Sequence, residues 1–425
     1  MPVSSNGRIL MLLENNGYPG DTRVRREALA LVEAGFQVAV IAPREGVEPS
    51  YEIVDGVSVY RYPPPKEHDS VLGFAWEFFY STCAAFFVSF KVAMKEGFDA
   101  IHAHSPPDTL FAVGLFYKLF GKKFVFDHHD LSPELYQARS GGNGNPLLYK
   151  TLLFLERMTF WTSDLAIATN ESYRKIAMER GKVPFEKTVV VRNGPPLKLL
   201  GNHKPYAHLT ESGKTLLGYV GAISIQDGLE YLVEAMDHMK QTHQRTDILC
   251  IVMGDGDDLS RIKGLVQDKG LDELFLFTGW LEREELGRYL ASIDIGVDPD
   301  PSNPFNDKCT MIKMTEYMVY GKPIVAFDLP EHRYTAGDSA IYVADNDPLK
   351  FSEAVLDLMD NPAKRAELGQ KGLYRAKTKI AWEYSVPHLV KSYHQLFGRQ
   401  VNVSPKVSSD VQEEFVLGSH SGVEG

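Results

Sequence analysis

Short apolar runs separated by amphipathic stretches set the rhythm of the first half of the chain. Ile9–Leu13, Gln37–Ala42, Val57–Tyr62, Asp99–Ala103, Lys123–His128, Asp164–Ala168 and Thr188–Val191 are such runs. None alternates cleanly between apolar and polar positions, so each is expected as a strand covered on both faces. Helical periods lie between them, as in Arg23–Ala34 before Gly35. Strands and helices in alternation predict a parallel, doubly wound sheet. The pattern lapses at Pro195-Pro196 and over the polar run Gly201–Gly213. It resumes with Thr215–Val220, Asp247–Met253, Leu274–Phe277, Asp294–Val297 and Pro323–Phe327. Two α/β domains are therefore expected, 1–196 and 214–380, joined by a linker over 197–213 and facing a central cleft. A helical pattern at Trp382–Phe397 follows, and residues 401–425 carry no periodic apolar face and read as a disordered tail. In such sheets ligands gather at the carboxyl ends of strands, so residues just after strands are the candidates for chemistry.

Composition narrows the class. A formal net charge of −11 argues against a general nucleic-acid binder. Cys83, Cys250 and Cys309 are odd in number and far apart, which fits a reducing cytoplasm and no disulfide framework. No Cys/His spacing suggests zinc, and the first eight residues lack the basic and apolar regions of a signal peptide.

Residues 71–90 change the picture. Phe74, Trp76, Phe78, Phe79, Tyr80, Phe86, Phe87 and Phe90 crowd this one segment. A membrane span needs about 20 largely apolar residues, but Glu77 lies inside and Lys91 follows. A helix packed on the sheet and a helix lying in the membrane interface are the other readings. The density of aromatics points to peripheral contact with the cytoplasmic face of a membrane, near a lipid-linked acceptor.

The most informative stretch is Asp307–Ala326, read as a loop, a helix opening near Thr310, a Gly321-Lys322-Pro323 turn and a buried strand. A helix start presents free N–H groups and partial positive charge, which suits phosphate. Lys308 and Lys313 flank that start, and Glu316 is placed to accept hydrogen bonds from sugar hydroxyls. Diphosphate and ribose together suggest a nucleotide-sugar. Asp298 and Asp300 look at first like a metal-binding pair, but the prolines around them favour a loop-capping role.

The run Glu316-Tyr317-Met318-x-x-Gly321-Lys322-Pro323 resembles the donor-binding helix of the family-4 (group 1) glycosyltransferases of the GT-B fold. There a Glu, seven residues and a second Glu precede such a turn. Glu316 matches the second; Lys308 stands where the first would be. Asp21-x-Arg23-Val-x-Arg26-Glu27-Ala28 resembles the first helix of many bacterial members. His129-Asp130-Leu131-x-Pro133 resembles the run whose histidine faces the donor sugar. The resemblance implies two Rossmann-like lobes, with a final helix (381–400) returning to the first, acceptor-side lobe. It implies a retaining transfer from a UDP- or GDP-linked sugar, and no metal. It places the donor against Gly221, Gly254, Trp280, Leu281, Thr310, Met311, Ile312 and Glu316. The family usually carries Gly-Arg and Lys-Gly after the first strand of the second lobe; here Ala222 and Asp227 stand in those places. Lys308, Lys313 and the helix start are the available substitutes for meeting the departing diphosphate.

Other residues keep two readings. Arg23 and Arg25 sit unfavourably at a helix N-terminus, so they either contact phosphate or pair with Asp21 or Glu27. His104 either lines the cleft or is a satisfied core histidine. Trp280 either stacks on the base or packs. The expected function is a retaining glycosyltransferase of polysaccharide or glycolipid assembly, with a glycan or lipid-linked acceptor and catalysis by His129, Lys308, Lys313 and Glu316. The alternatives are a nucleotide-sugar epimerase and a nucleotide-sugar binder that has lost turnover, the latter suggested by Ala222 and Asp227.

Overall fold

A computed structural model describes residues 6–65, 71–197, 201, 203–402 and 404, without the side chains of Val71, Leu72 and Phe74. The expected tail falls almost wholly outside the described residues. The chain forms two compact units, one comprising Met1–Asn193 with Ser385–Pro405, the other starting at Gly194 and running to Tyr384.

The first unit runs β1 (Arg8–Leu12), α1 (Thr22–Glu33), β2 (Gln37–Pro43), β3 (Tyr51–Val54), β4 (Val57–Tyr62), α2 (Val71–Lys95), β5 (Ala100–His104), α3 (Phe111–Lys118), β6 (Lys123–His128), α4 (Ser132–Arg139), α5 (Pro146–Thr162), β7 (Leu165–Ala168), α6 (Glu171–Glu179) and β8 (Thr188–Val190). Its sheet is ordered β3-β4-β2-β1-β5-β6-β7-β8, parallel except for the β3–β4 hairpin. β3 was not foreseen: it is a half-exposed edge strand of four residues with Glu52 inside it, which hides the pattern. Asp21 caps α1, accepting from the Val24 N–H at 2.9 Å. Strand order reverses between β1 and β5, so right-handed crossovers put α1 on one face and α2, α3 and α5 on the other.

The second unit runs α7 (Ala207–Thr210), β9 (Thr215–Val220), α8 (Leu229–Gln241), β10 (Ile248–Met253), α9 (Leu259–Asp268), β11 (Phe275–Gly279), α10 (Arg283–Ser292), β12 (Ile295–Asp298), α11 (Ile312–Val319), β13 (Ile324–Phe327), α12 (Pro330–Ala336), β14 (Ala340–Val343), α13 (Pro348–Asp360) and α14 (Pro362–Arg375). Its sheet is wholly parallel, ordered β11-β10-β9-β12-β13-β14. Val252, Leu232 and Phe327 belong to the apolar layer on one face, and Ile251, Ile293 and Met314 to that on the other. The order reverses between β9 and β12, and the crevice beyond such a switch is where ligands bind in open α/β sheets.

α15 (Trp382–Leu396) closes the chain. From Ser385 onward it belongs to the first unit. Tyr393 and Phe397 pack on Phe36, and the Tyr393 hydroxyl lies 2.8 Å from His102 Nδ1.

Candidate active site

In the second unit the loops after β9, β10 and β11 are stitched together by backbone. The Gly221 N–H donates to the Met253 carbonyl, and the Gly254 N–H to the Gly279 carbonyl. A Cβ on Gly254 would fall 1.9 Å from the Gly221 carbonyl oxygen, and Gly254 itself has φ +149°, so only glycine fits there. Tyr317, fully buried on α11, receives the Val220 N–H at 3.1 Å and donates to the Val297 carbonyl at 3.0 Å. One phenol thus ties β9 to β12 across the switch point. Leu281 packs on the core, whereas Trp280 projects into solvent and has no packing role.

α11 begins at Ile312, with Met311 at the cap position and no side-chain cap bond. That is two residues later than expected, because Asn306–Lys308 form a separate 3-10 turn. Thr310 and Met311 are therefore loop residues leading to the helix start. The Thr310 hydroxyl donates to Glu331 at 3.4 Å. Glu316 is half-buried on the helix. The Lys308 amine donates to the Pro304 carbonyl at the surface of the turn.

Lys313 requires a correction. It is buried, and its ammonium lies 2.7 and 2.8 Å from the two oxygens of Asp300 and 3.6 Å from Asp298. Asp300 and Asp298 are fully buried rather than exposed loop caps. His332 Nε2 lies 3.3 Å from Asp298, completing the group. Burial lowers a lysine pKa, but the two aspartates outweigh it and hold Lys313 well above its ordinary value. The charge expected to meet a diphosphate is instead neutralised within the protein. Asp227, at the family's lysine place, closes a small turn by accepting from the Ser224 N–H at 2.9 Å.

In the first unit the organising residue is one that sequence reasoning passed over. Asp127, fully buried near the end of β6, accepts from Arg23 through both oxygens at 2.7 Å. Its Oδ2 also meets His104 Nδ1 at 2.9 Å and His129 Nδ1 at 3.1 Å. Burial works against its charge, yet Arg23 and His129 hold its pKa well below the carboxylate range. Since a carboxylate only accepts, each imidazole presents Nδ1–H to it and leaves Nε2 directed elsewhere. Burial lowers the His129 pKa less than Asp127 raises it, so it ends above its ordinary value, whereas burial wins at His104. His129 keeps some exposure; His104 is buried. A buried Asp ending an apolar strand, two residues before His129, was the available signal.

Arg23 also requires a correction. It is buried, and besides Asp127 its guanidinium donates to the Val191 carbonyl and Asn193 and pairs with Glu27 at 3.0 Å. The guanidinium is thus engaged within the protein. Arg25 is half-exposed and pairs with Asp55 at 2.9 Å. His128 points away from His129, to Glu156 at 3.2 Å, as adjacent strand residues must.

Among the described residues, two groups of side chains have metal-ligand chemistry: Glu27, His102, His104 and Asp127 in one unit, and Asp298, Asp300 and His332 in the other. Each already contains a seated cation, Arg23 or Lys313, bonded to its carboxylates. A divalent ion in either would have to compete with that residue for the same oxygens.

Comparisons with known proteins agree with these features. The family described as "Glycosyl transferase 4-like domain" matches residues 20–194, and "Glycosyl transferases group 1" matches residues 214–361. An uncharacterized glycosyltransferase of Methanocaldococcus jannaschii is 25% identical over 316 residues, 70% of this chain and 73% of that protein. Sucrose-phosphate synthase from Thermosynechococcus elongatus superposes with a TM-score of 0.74 at 21% identity, covering 92% of this chain and 99% of the other. Anabaena HepE, in complex with UDP and glucose, gives 0.67 at 14% identity, covering 92% and 98%. The fold is that of the GT-B glycosyltransferases, and the chain belongs to the group 1 glycosyltransferases.

Proposed function

We propose that the protein transfers a sugar from a nucleotide-diphosphate donor to a hydroxyl acceptor with retention at the anomeric carbon. The observation that carries this reading is the crevice at the β9/β12 switch. There the Gly221 and Gly254 backbones and the start of α11 follow the carboxyl ends of the strands, and Glu316 lies one turn into the helix. The N–H groups at the start of α11 suit a diphosphate, those of Gly221 and Gly254 being bonded to Met253 and Gly279, and Glu316 suits ribose or sugar hydroxyls. Anabaena HepE, of similar fold, is seen with UDP and glucose, which favours a UDP-linked donor over a GDP-linked one.

With Lys313 bound to Asp300, Lys308 is the cation we assign to the departing diphosphate. Lys313 instead holds the Asp298–Asp300 segment under the donor. His129, its Nδ1 fixed by Asp127, presents Nε2 as the group for the donor sugar. Catalysis then rests on electrostatic stabilisation of the leaving group and on positioning. This reading requires no metal. The acceptor is a glycan or lipid-linked sugar of cell-surface assembly, met in the cytoplasm.

The test is a panel of nucleotide-sugars and acceptors with the purified protein. Nucleotide released only with an acceptor present, and a product retaining the donor's anomeric configuration by NMR, support the reading. Turnover without acceptor would indicate an epimerase. Binding without turnover across the panel would make the protein a nucleotide-sugar binder, with Ala222 and Asp227 the reason.

A further inference from the structure

The first unit carries an apolar surface that the transfer reaction does not use. Among the described residues nineteen large hydrophobic side chains are exposed, and ten of them lie on α2, α3, α5 or the turn after α3. Random scatter would not gather half of them on three helices, and contiguous patches of this kind mark interaction sites. The three helices lie side by side on one face of the sheet. Thr82 of α2 bonds Thr109 just before α3 at 2.7 Å, and Thr159 of α5 donates to the Asp108 carbonyl at 2.7 Å. Phe86 on α2 stacks edge-on against Phe116 on α3 at 5.0 Å, and Phe116 leads to Phe120 at 5.3 Å. The outer layer is aromatic: Trp76, Phe79, Phe87, Phe120, Phe154 and Trp161 are each more than half exposed.

The charges decide what covers this face. The three helices hold five basic residues, Lys91, Lys95, Lys118, Lys150 and Arg157, against two acidic ones, Glu77 and Glu156. Glu156 is buried and bonded to Arg180 and His128. On α5, Lys150 and Arg157 share the exposed stripe with Leu147, Phe154 and Trp161 at helical spacing. The chain as a whole is at −11, so a locally basic face is a departure from its background. Aromatic and basic residues interleaved on one face, with no helix among the described residues long and apolar enough to cross a membrane, are the signature of a surface lying in the headgroup layer.

We propose that the α2–α3–α5 face of the first unit docks on an anionic lipid bilayer. The aromatic tips enter the interface, and Lys91, Lys150 and Arg157 meet the lipid phosphates. The expected contact of 71–90 is thereby enlarged to three helices. Docking rests on this surface alone. It deepens the proposed function by bringing a membrane-borne acceptor to the enzyme.

Flotation of the full chain with vesicles tests it. Wild type is expected to float with vesicles of phosphatidylcholine and phosphatidylglycerol, and at least fivefold less with phosphatidylcholine alone. Phe79→Ser/Phe87→Ser/Phe154→Ser and Lys91→Glu/Lys150→Glu/Arg157→Glu should each cut flotation at least fivefold. Because these side chains are exposed, melting temperature and calorimetric donor affinity should stay at wild-type values. That separates failure of docking from failure of the donor site. Wild type remaining unbound to anionic vesicles at low salt overturns the proposal. So does a dimer in sedimentation that the serine triple variant abolishes, since a second copy would then own the face.

Discussion

At the scale of single residues, buried charges govern both units. Replacing one partner of a buried, hydrogen-bonded ion pair leaves the other uncompensated, at a cost of about 3–5 kcal/mol. Lys313→Met should therefore destabilise the second unit by that order, because Asp300 and Asp298 lose their cation. Asp300→Asn in the same background should recover part of the loss, a coupling that a double-mutant cycle in urea unfolding measures. A Lys313→Met protein of wild-type stability but collapsed kcat would restore Lys313 to the leaving group. Lys308→Ala is expected to do the reverse: normal stability, with kcat lowered more than KM is raised, on the order of a hundredfold. In the first unit Asp127→Asn should let the His129 pKa fall, since the carboxylate is what raises it. NMR titration of His129 reads this directly, and an unchanged pKa would show that Asp127 does not set its state.

At the scale of elements, the strands of the two sheets were legible because apolar runs bounded by Gly, Pro and Asp leave little ambiguity. Val57–Tyr62, Lys123–His128 and Thr215–Val220 match their runs residue for residue. Of the four edge strands, β8 and β11 were foreseen and β3 and β14 were not; the latter two are short and half-exposed, so their patterns resemble loops. The candidate site was legible in two glycines, Gly221 and Gly254, which sit just after strands where the loops approach closely. It was not legible where buried charges meet across distant segments. Arg23 and Asp127 are 104 residues apart, and no local pattern announces their pairing. Lys313 read as a free cation for a related reason, since two aspartates flanked by prolines look like a solvated loop. The end of β1 offers a pH test. Burial, with Glu77 adding, pushes the Glu14 pKa from 4.5 up to about 7. The folded state then keeps a proton that the unfolded chain has released, so this group's contribution to stability falls as pH rises from about 4.5 to 7. Glu14→Gln should gain stability relative to wild type across that window. Parallel melting curves for the two proteins from acid to neutral pH would show that Glu14 titrates normally.

At the scale of the whole molecule, two mainly parallel sheets with switch points carry different groups. The second unit has a switch-point crevice with a helix start beyond it; the first has a histidine held by a buried Asp–Arg pair and, on its outer face, an aromatic and basic surface. The proposed donor site holds a nucleotide-sugar at the start of α11, with Glu316 as its hydroxyl partner. Calorimetric titration of UDP- and GDP-sugars into wild type and Glu316→Ala tests it most directly. Saturable binding of at least one donor to wild type is expected, with at least tenfold weaker binding to Glu316→Ala and an unchanged melting temperature. Equal affinity in the two proteins would contradict it.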